Sequence, residues 1–306
     1  MKVDWKGMFP ALPTQLNEDL SLDLDATNEH LDEMIEAGVH GMVMLGSIGE
    51  NTGLTAQEKR EVLRAAVETA AGRVPILTGV SEYTPDQAIE FAEDSAKLGV
   101  EGLMLLPAMV YKADGREAVN HFRTVGEASP LPILCYNNPR YGVDLTPDMF
   151  MQLADVESIV AIKEASGDPR RITDLANGTG DRFILFAGLD DVMLESIMLG
   201  CVGTVFGFVC AFPDESMRMW DLAQAGEWEK AREIYRWLMP LLHLDDHPKL
   251  AQYTKITCQE LGYGNELVRP PRMTLVGEER ERVLGLIREA VANRPDLNSK
   301  ALQVGG

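Results

Sequence analysis

The segment Ser158–Glu164 sets four small apolar residues, Ile159 to Ile162, directly before Lys163. Such a run reads as a short buried strand. An ammonium at its end is costly unless it is paired, deprotonated or drawn out to water. Two readings of Lys163 are therefore open: a side chain that snorkels from a strand tip, or an amine that does chemistry. A preceding apolar run, "LPILCYN" (131–137), carries Tyr136 near its own end. A desolvated amine favours its neutral, nucleophilic form. It attacks a carbonyl carbon to form a Schiff base, and a nearby tyrosine can pass the protons that this requires. A third segment, "GSIGE" (46–50), has glycines that permit a turn with its backbone N–H groups aimed inward, where they suit a carboxylate; Ser47 adds a hydroxyl. Taken alone it also reads as a plain turn between a strand and a helix.

These residues need elements to hold them, and the chain supplies an alternation. Short apolar runs begin near residues 7, 40, 74, 101, 131, 158, 181 and 201, and a helical pattern follows each. Thr55, Thr84 and Thr146 stand at helix starts, with Pro85 and Pro147 in the next position, where a missing N–H costs least. Gly38, Gly72, Gly99 and Gly200 fall near helix ends, where a left-handed cap is wanted. Eight strand–helix units in succession predict a closed (β/α)₈ TIM barrel, an α/β fold with a parallel sheet covered by helices. The competing doubly wound sheet wants a Gly-rich phosphate turn after the first strand, and "PALPTQLNED" offers none. After residue 226 the alternation stops. Segments 227–244, 248–262 and 277–294 read as helices, so the expected organisation is a catalytic barrel over 1–226 with a C-terminal helical extension, 227–306, packed on it. Trp220, Trp228, Tyr235 and Trp237 are expected as core or subunit contacts. The barrel assignment places Tyr136, Lys163 and the turn at 46–50 at the C-terminal strand ends, where such folds keep their chemistry.

A formal net charge of -20 argues against nucleic-acid or anionic-membrane partners. The N-terminus has no apolar signal core, no run approaches the ~18 apolar residues of a membrane span, and a cytoplasmic location is expected. The four cysteines have no C-x-x-C spacing and suggest no disulfide framework. His243 and His247, four apart among acids and followed by Pro248, are expected to be solvated or at a helix end. A metal-dependent barrel would need acids and histidines together at strand ends; Asp190, Asp191 and Glu164 qualify, but no histidine joins them.

In order and on these strands, "GSIGE", "YNNP" (136–139) and "AIKEASGD" (161–168) resemble the dihydrodipicolinate synthase and N-acetylneuraminate lyase family. "FPALPT" (9–14), "FAGLDD" (186–191) and "LGCVGTVFGFVCAFP" (199–213) match further landmarks, so the resemblance covers nearly the whole chain. It implies a class I lyase that holds a 2-oxo acid as a Schiff base, needs no metal or organic cofactor, and assembles as a homotetramer, a dimer of dimers. Carried over by position, Lys163 matches the Schiff-base lysine and Tyr136 the proton-relaying tyrosine. Ser47 matches the hydroxyl residue linked to that tyrosine. Ser47, Ile48, Gly49, Arg140, Gly188 and Phe206 are the substrate-binding candidates.

Three departures bear on the substrate. Ile48 replaces the second hydroxyl residue of the family's G-[TS]-T-G-E turn, leaving backbone N–H groups to bind the carboxylate. Met109 stands where the synthases place a tyrosine that crosses to a neighbouring subunit, and Tyr111 is displaced. "YNNPRYG" is one residue shorter than the usual pattern, so Arg140 need not point where the family's arginine does. The 1-pyrroline-4-hydroxy-2-carboxylate deaminase branch is similar at these points, and "DDHPKLAQYTK" (245–255) also resembles it. The expected function is a Schiff-base lyase of that deaminating-dehydratase type acting on a 2-oxo acid or cyclic imine carboxylate. The alternatives are a 4-hydroxy-tetrahydrodipicolinate synthase or another pyruvate-dependent aldolase, and a non-catalytic binding barrel.

Overall fold

The structure is a computed structural model that describes residues 1–107, 112–299 and 302–304; Met109 and Tyr111 lie outside the described residues. Eight short strands form one parallel sheet: β1 (Gly7–Pro10), β2 (Met42–Met44), β3 (Ile76–Val80), β4 (Gly102–Leu105), β5 (Ile133–Asn137), β6 (Ile159–Glu164), β7 (Ile184–Ala187) and β8 (Gly203–Phe206). From β2 to β8 each pairs with its sequence neighbours, and β1 pairs with β8. The ring closes between β1 and β2 through a parallel bridge, Ala11 to Val43, with Leu12 N donating to Val43 O at 3.1 Å. The fold is a (β/α)₈ barrel.

Helices α1 (Leu24–Glu36), α2 (Ala56–Ala70), α3 (Pro85–Lys97), α4 (Gly115–Ala128), α5 (Pro147–Met151), α6 (Arg170–Thr179), α7 (Met193–Met198) and α8 (Pro213–Gln224) surround it. Thr55 and Thr84 cap α2 and α3 through their side chains, and Glu58 completes a capping box with Thr55. Thr146 precedes α5 but makes no side-chain cap, and α5 has five residues where the pattern predicts a longer helix over 146–156. The prediction over 190–200 likewise shortens: Asp190–Val192 is a 3₁₀ turn and α7 starts at Met193. Three further helices, α9 (Trp228–Leu242), α10 (Leu250–Glu260) and α11 (Gly277–Ala292), follow the barrel, with α9 against α8 and α11 against both α9 and α10. Among the described residues no helix is long and apolar enough to cross a membrane.

Two apolar layers explain how the site is held. A shell between strands and helices includes Met8, Leu31, Met44, Leu63, Leu103, Phe122, Ile162 and Phe206. An interior set includes Phe9, Val43, Leu77, Met104, Leu134, Ala161, Phe186 and Val205. Phe9 and Phe186 meet edge to face in that interior, with ring centroids 5.4 Å apart. Side chains alternate along a strand, so two residues beyond an interior position the chain points inward again. Leu134 therefore leads to Tyr136, and Ala161 to Lys163. The packed interior is the floor on which those two polar residues stand.

Candidate active site

Tyr136 and Lys163 are direct register partners on β5 and β6. Both are buried, at 4% and 5% exposure. The Lys163 ammonium lies 3.9 Å from the centroid of the Tyr136 ring, a cation–π geometry. The two line one inner cavity with Ala11, Ser47, Ile48, Met104, Gly188, Asp190, Val205, Phe206, Gly207, Asp245 and Leu250. That cavity measures about 20 Å³, room for roughly one water. A wider cavity of about 190 Å³ opens beside it, sharing Ser47 and Leu250 and adding Asn51, Arg140, His247 and Arg272 among others. A ligand whose reacting end reaches Lys163 has room for its body in the outer space.

Close approaches fix this layout. A Cβ on Gly188 would stand 2.9 Å from Lys163 Cγ and 2.7 Å from Glu164 O, so glycine there admits the lysine stem. A Cβ on Gly207 would stand 2.3 Å from Ile48 Cδ1, so the isoleucine lies directly against the β8 backbone. Ile48 is 4% exposed and packs with the interior set.

The substrate-binding candidates separate. Ser47, Ile48, Gly188 and Phe206 border the inner cavity, and Arg140 the outer one. The Phe206 side chain, however, packs with the shell. Gly49 is not among the residues lining either cavity. A Cβ on it would meet Leu45 N at 2.9 Å and Leu12 O at 3.0 Å, and its carbonyl accepts from Thr14 Oγ1. Its glycine serves backbone packing behind the turn. Within that turn the amides of Glu50 and Asn51 donate back to Ser47 O and Gly46 O, so neither faces a ligand.

Arg140 is held on the shortened loop. Its backbone N and Nε donate to Asn138 Oδ1, and Nη1 donates to Asp245 O at 2.6 Å. It also pairs with Asp246 at 3.3 Å. Asn138 Nδ2 in turn donates to Tyr136 Oη at 3.0 Å. A hydrogen-bonded path thus runs from the segment after α9, through Arg140 and Asn138, to the tyrosine oxygen.

Residues that the sequence analysis did not place at the site are here too. Asp245 is 6% exposed and borders the inner cavity. His243 remains exposed and contacts Asp191 through Nδ1 at 3.0 Å, and His247 borders the outer cavity. Asp190, 2% exposed, accepts from the backbone of Gly207 and Phe208, clamping the end of β8. Burial pushes the Asp190 carboxyl well above its ordinary range, and Asp245 beside it pushes the same way. Burial raises Asp245 to about 6, against the pull of Arg140 and Lys163. Glu164, also raised by burial, is turned to a separate network, accepting from Ser166 N and Asn137 Nδ2. Among the described residues no group of three His, Cys, Asp or Glu side chains is arranged to hold a metal ion.

With this geometry in hand, comparison with known proteins is direct. The sequence profile of the "Dihydrodipicolinate synthetase family" matches residues 4–290. The chain belongs to this family, a class of lyases of the aldolase type. The "4-hydroxy-tetrahydrodipicolinate synthase" of Methanospirillum hungatei is 32% identical over 241 residues, covering 78% of this chain and 82% of that protein. The "4-hydroxy-tetrahydrodipicolinate synthase 1" of Halalkalibacterium halodurans is 31% identical over 277 residues, 89% and 93% of the two chains. Among solved structures, dihydrodipicolinate synthase DapA-2 of Bacillus anthracis superimposes with a TM-score of 0.90 at 27% identity, covering 96% of this chain and 100% of the other. The Acinetobacter baumannii dihydrodipicolinate synthase complexed with pyruvate gives 0.88 at 25% identity, with 94% and 99% covered.

Proposed function

We propose that this lyase works through a Schiff base on Lys163, with Tyr136 as proton relay, and that its substrate is a 2-oxo acid or cyclic imine carboxylate. The observation that carries the reading is the buried amine 3.9 Å from the Tyr136 ring centroid, in a cavity both residues line. In the forward step the neutral amine adds to the carbon of a carbonyl or imine. The displaced oxygen or nitrogen takes up protons through Tyr136 and leaves, or remains tethered as a free amine when the substrate is a ring. Asn138 donates to Tyr136 Oη and so holds the oxygen of the proposed relay in position.

Within this class the favoured reaction is the deaminating dehydration of 1-pyrroline-4-hydroxy-2-carboxylate. Ile48 supports it, because an apolar side chain against Gly207 offers no hydroxyl to a carboxylate and suits a bulkier or cyclic body. The second reading is 4-hydroxy-tetrahydrodipicolinate synthesis, supported by the names of the relatives above. Steady-state kinetics separate them. The pyrroline should be turned over efficiently, and pyruvate with aspartate semialdehyde poorly. The reverse order would establish the synthase reading.

A further inference from the structure

Asp245 sits outside the alternating barrel sequence, in the turn between α9 and α10, yet it reaches the cavity of Lys163. Its main chain is fastened on both sides: its N–H donates to Leu242 O at 2.9 Å and its carbonyl accepts from Arg140 Nη1 at 2.6 Å. Its Oδ2 accepts from Asp190 N at a long 3.5 Å. Asp245 and Lys163 line the same small cavity and act on each other electrostatically, so a substrate bonded to Lys163 enters the space that Asp245 borders. A buried acid this close to a lysine nucleophile does not serve solubility, and it does not face the exposed surface.

Resting on the Schiff-base reading above, we infer that Asp245 is a second acid–base residue of the site, which protonates a hydroxyl leaving from the carbon β to the imine. The step balances without an oxidant, reductant or metal. A base, Tyr136, takes a proton from C3 of the Lys163-bound substrate, leaving an electron pair in the enamine. That pair forms the C3–C4 double bond as the C4–O bond breaks toward oxygen. Asp245 gives its proton to that oxygen, and water leaves. One proton is taken and one is given, so the substrate loses one water in total. Burial, which keeps the carboxyl protonated to higher pH than usual, suits such a donor. Asp190, buried beside it and itself pushed upward, adds like charge that holds the Asp245 proton in place.

The test compares the unmodified chain with Asp245→Asn by three readouts. Borohydride reduction with 2-oxobutyrate reports the Schiff base. Deuterium exchange at C3 of 2-oxobutyrate reports proton abstraction. Conversion of 1-pyrroline-4-hydroxy-2-carboxylate reports loss of the hydroxyl. Adduct formation and exchange should stay within about threefold, while conversion falls by about 10²–10⁴-fold, the usual worth of a general acid. A fourth readout needs no variant and covers an Asp245→Asn protein that does not fold. In the unmodified chain, conversion should decline as pH rises above about 6 while exchange does not. The sign follows from the role, since an acid must be protonated to donate. The groups that face this titration are Lys163 from β6, Arg140 from the loop after β5, Asp190 and Asp191 from the segment after β7, and Asp246, His243 and His247 on its own segment. Conversion within threefold in Asp245→Asn, all three readouts falling together in a folded Asp245→Asn protein, or no decline of conversion with pH in the unmodified chain overturns the role. So does an unmodified chain that forms the adduct and exchanges protons but does not convert the pyrroline, and the Schiff-base reading then stands. No adduct in the unmodified chain removes that reading and this role with it.

Discussion

Lys163 and Lys255 are both buried lysines, and both abut the turn at residues 46–50, one from the cavity side and one from behind. Lys255 is fully buried on α10. Its ammonium donates to Thr14 O at 2.8 Å and to Glu50 Oε1 at 3.2 Å. Burial pushes its pKa below the ordinary lysine value, and Glu50 pulls it back. It borders neither of the two cavities described. Glu50 also accepts from Arg269 N at 2.8 Å and lies 3.7 Å from Arg272. Lys163 ends a strand, stands over an aromatic face, and borders a cavity. Burial alone does not separate the lysine proposed as nucleophile from a structural one. In the structure the two differ in place: Lys163 stands over an aromatic face and borders a cavity that a ligand can enter, whereas Lys255 is bonded to Glu50 inside the packing and borders neither cavity.

Next to the loss of Lys163 itself, the largest expected effect that sharpens this contrast is on activity at its neighbour. Tyr136→Phe keeps the ring under the ammonium and removes the hydroxyl. It should lower kcat by about 10²–10⁴-fold, read in steady-state assays with the preferred substrate. A loss below about threefold, with chemistry rate-limiting, would contradict the relay role.

Lys255→Met should act on stability instead. Breaking a buried ion pair by removing one partner costs roughly 3–5 kcal/mol, and the low end applies because Glu50 keeps its bond from Arg269 N. Urea unfolding checks the value. The yield of Schiff-base adduct per folded molecule should not change; a large drop would give Lys255 a part in the chemistry and erase the contrast.

Much of this arrangement was legible from residue types. The caps at Thr55 and Thr84 and the alternating runs report local chemistry that tertiary packing did not override. Tyr136 and Lys163 could be paired because consecutive parallel strands end at the same barrel mouth. Glu50 pairs with Lys255, which comes from a helix far along the chain and has no local signal. Asp245 was illegible for a similar reason. The acids of "LDDHP" carry no local signal of burial, and only the packing of α9 and α10 against the barrel turns one of the two inward. At Gly49 a short Gly turn does not reveal that a Cβ would meet the backbone of Leu45 and Leu12, which only the packed structure shows.

The smallest expected effect concerns Ile48. Ile48→Thr introduces a hydroxyl beside the cavity, and hydrogen bonds to charged groups contribute roughly 1.5–3 kcal/mol. Loss of the packing against Gly207 offsets part of this. Pyruvate binding should tighten by about tenfold, corresponding to about 1.4 kcal/mol, and calorimetric titration reads it. Unchanged or weaker binding would show that the isoleucine does not set the carboxylate preference.

The most direct test of the central claim is where a trapped substrate attaches. The protein is incubated with 2-oxobutyrate or 1-pyrroline-4-hydroxy-2-carboxylate and reduced with borohydride, and the modified peptide is located by mass. The account predicts a single reduced adduct on Lys163, none on Lys255, and none in a Lys163→Ala protein, whose turnover falls by on the order of 10⁴-fold or more, as when other covalent nucleophiles are removed. An adduct on a different lysine, or full turnover by Lys163→Ala, would contradict it.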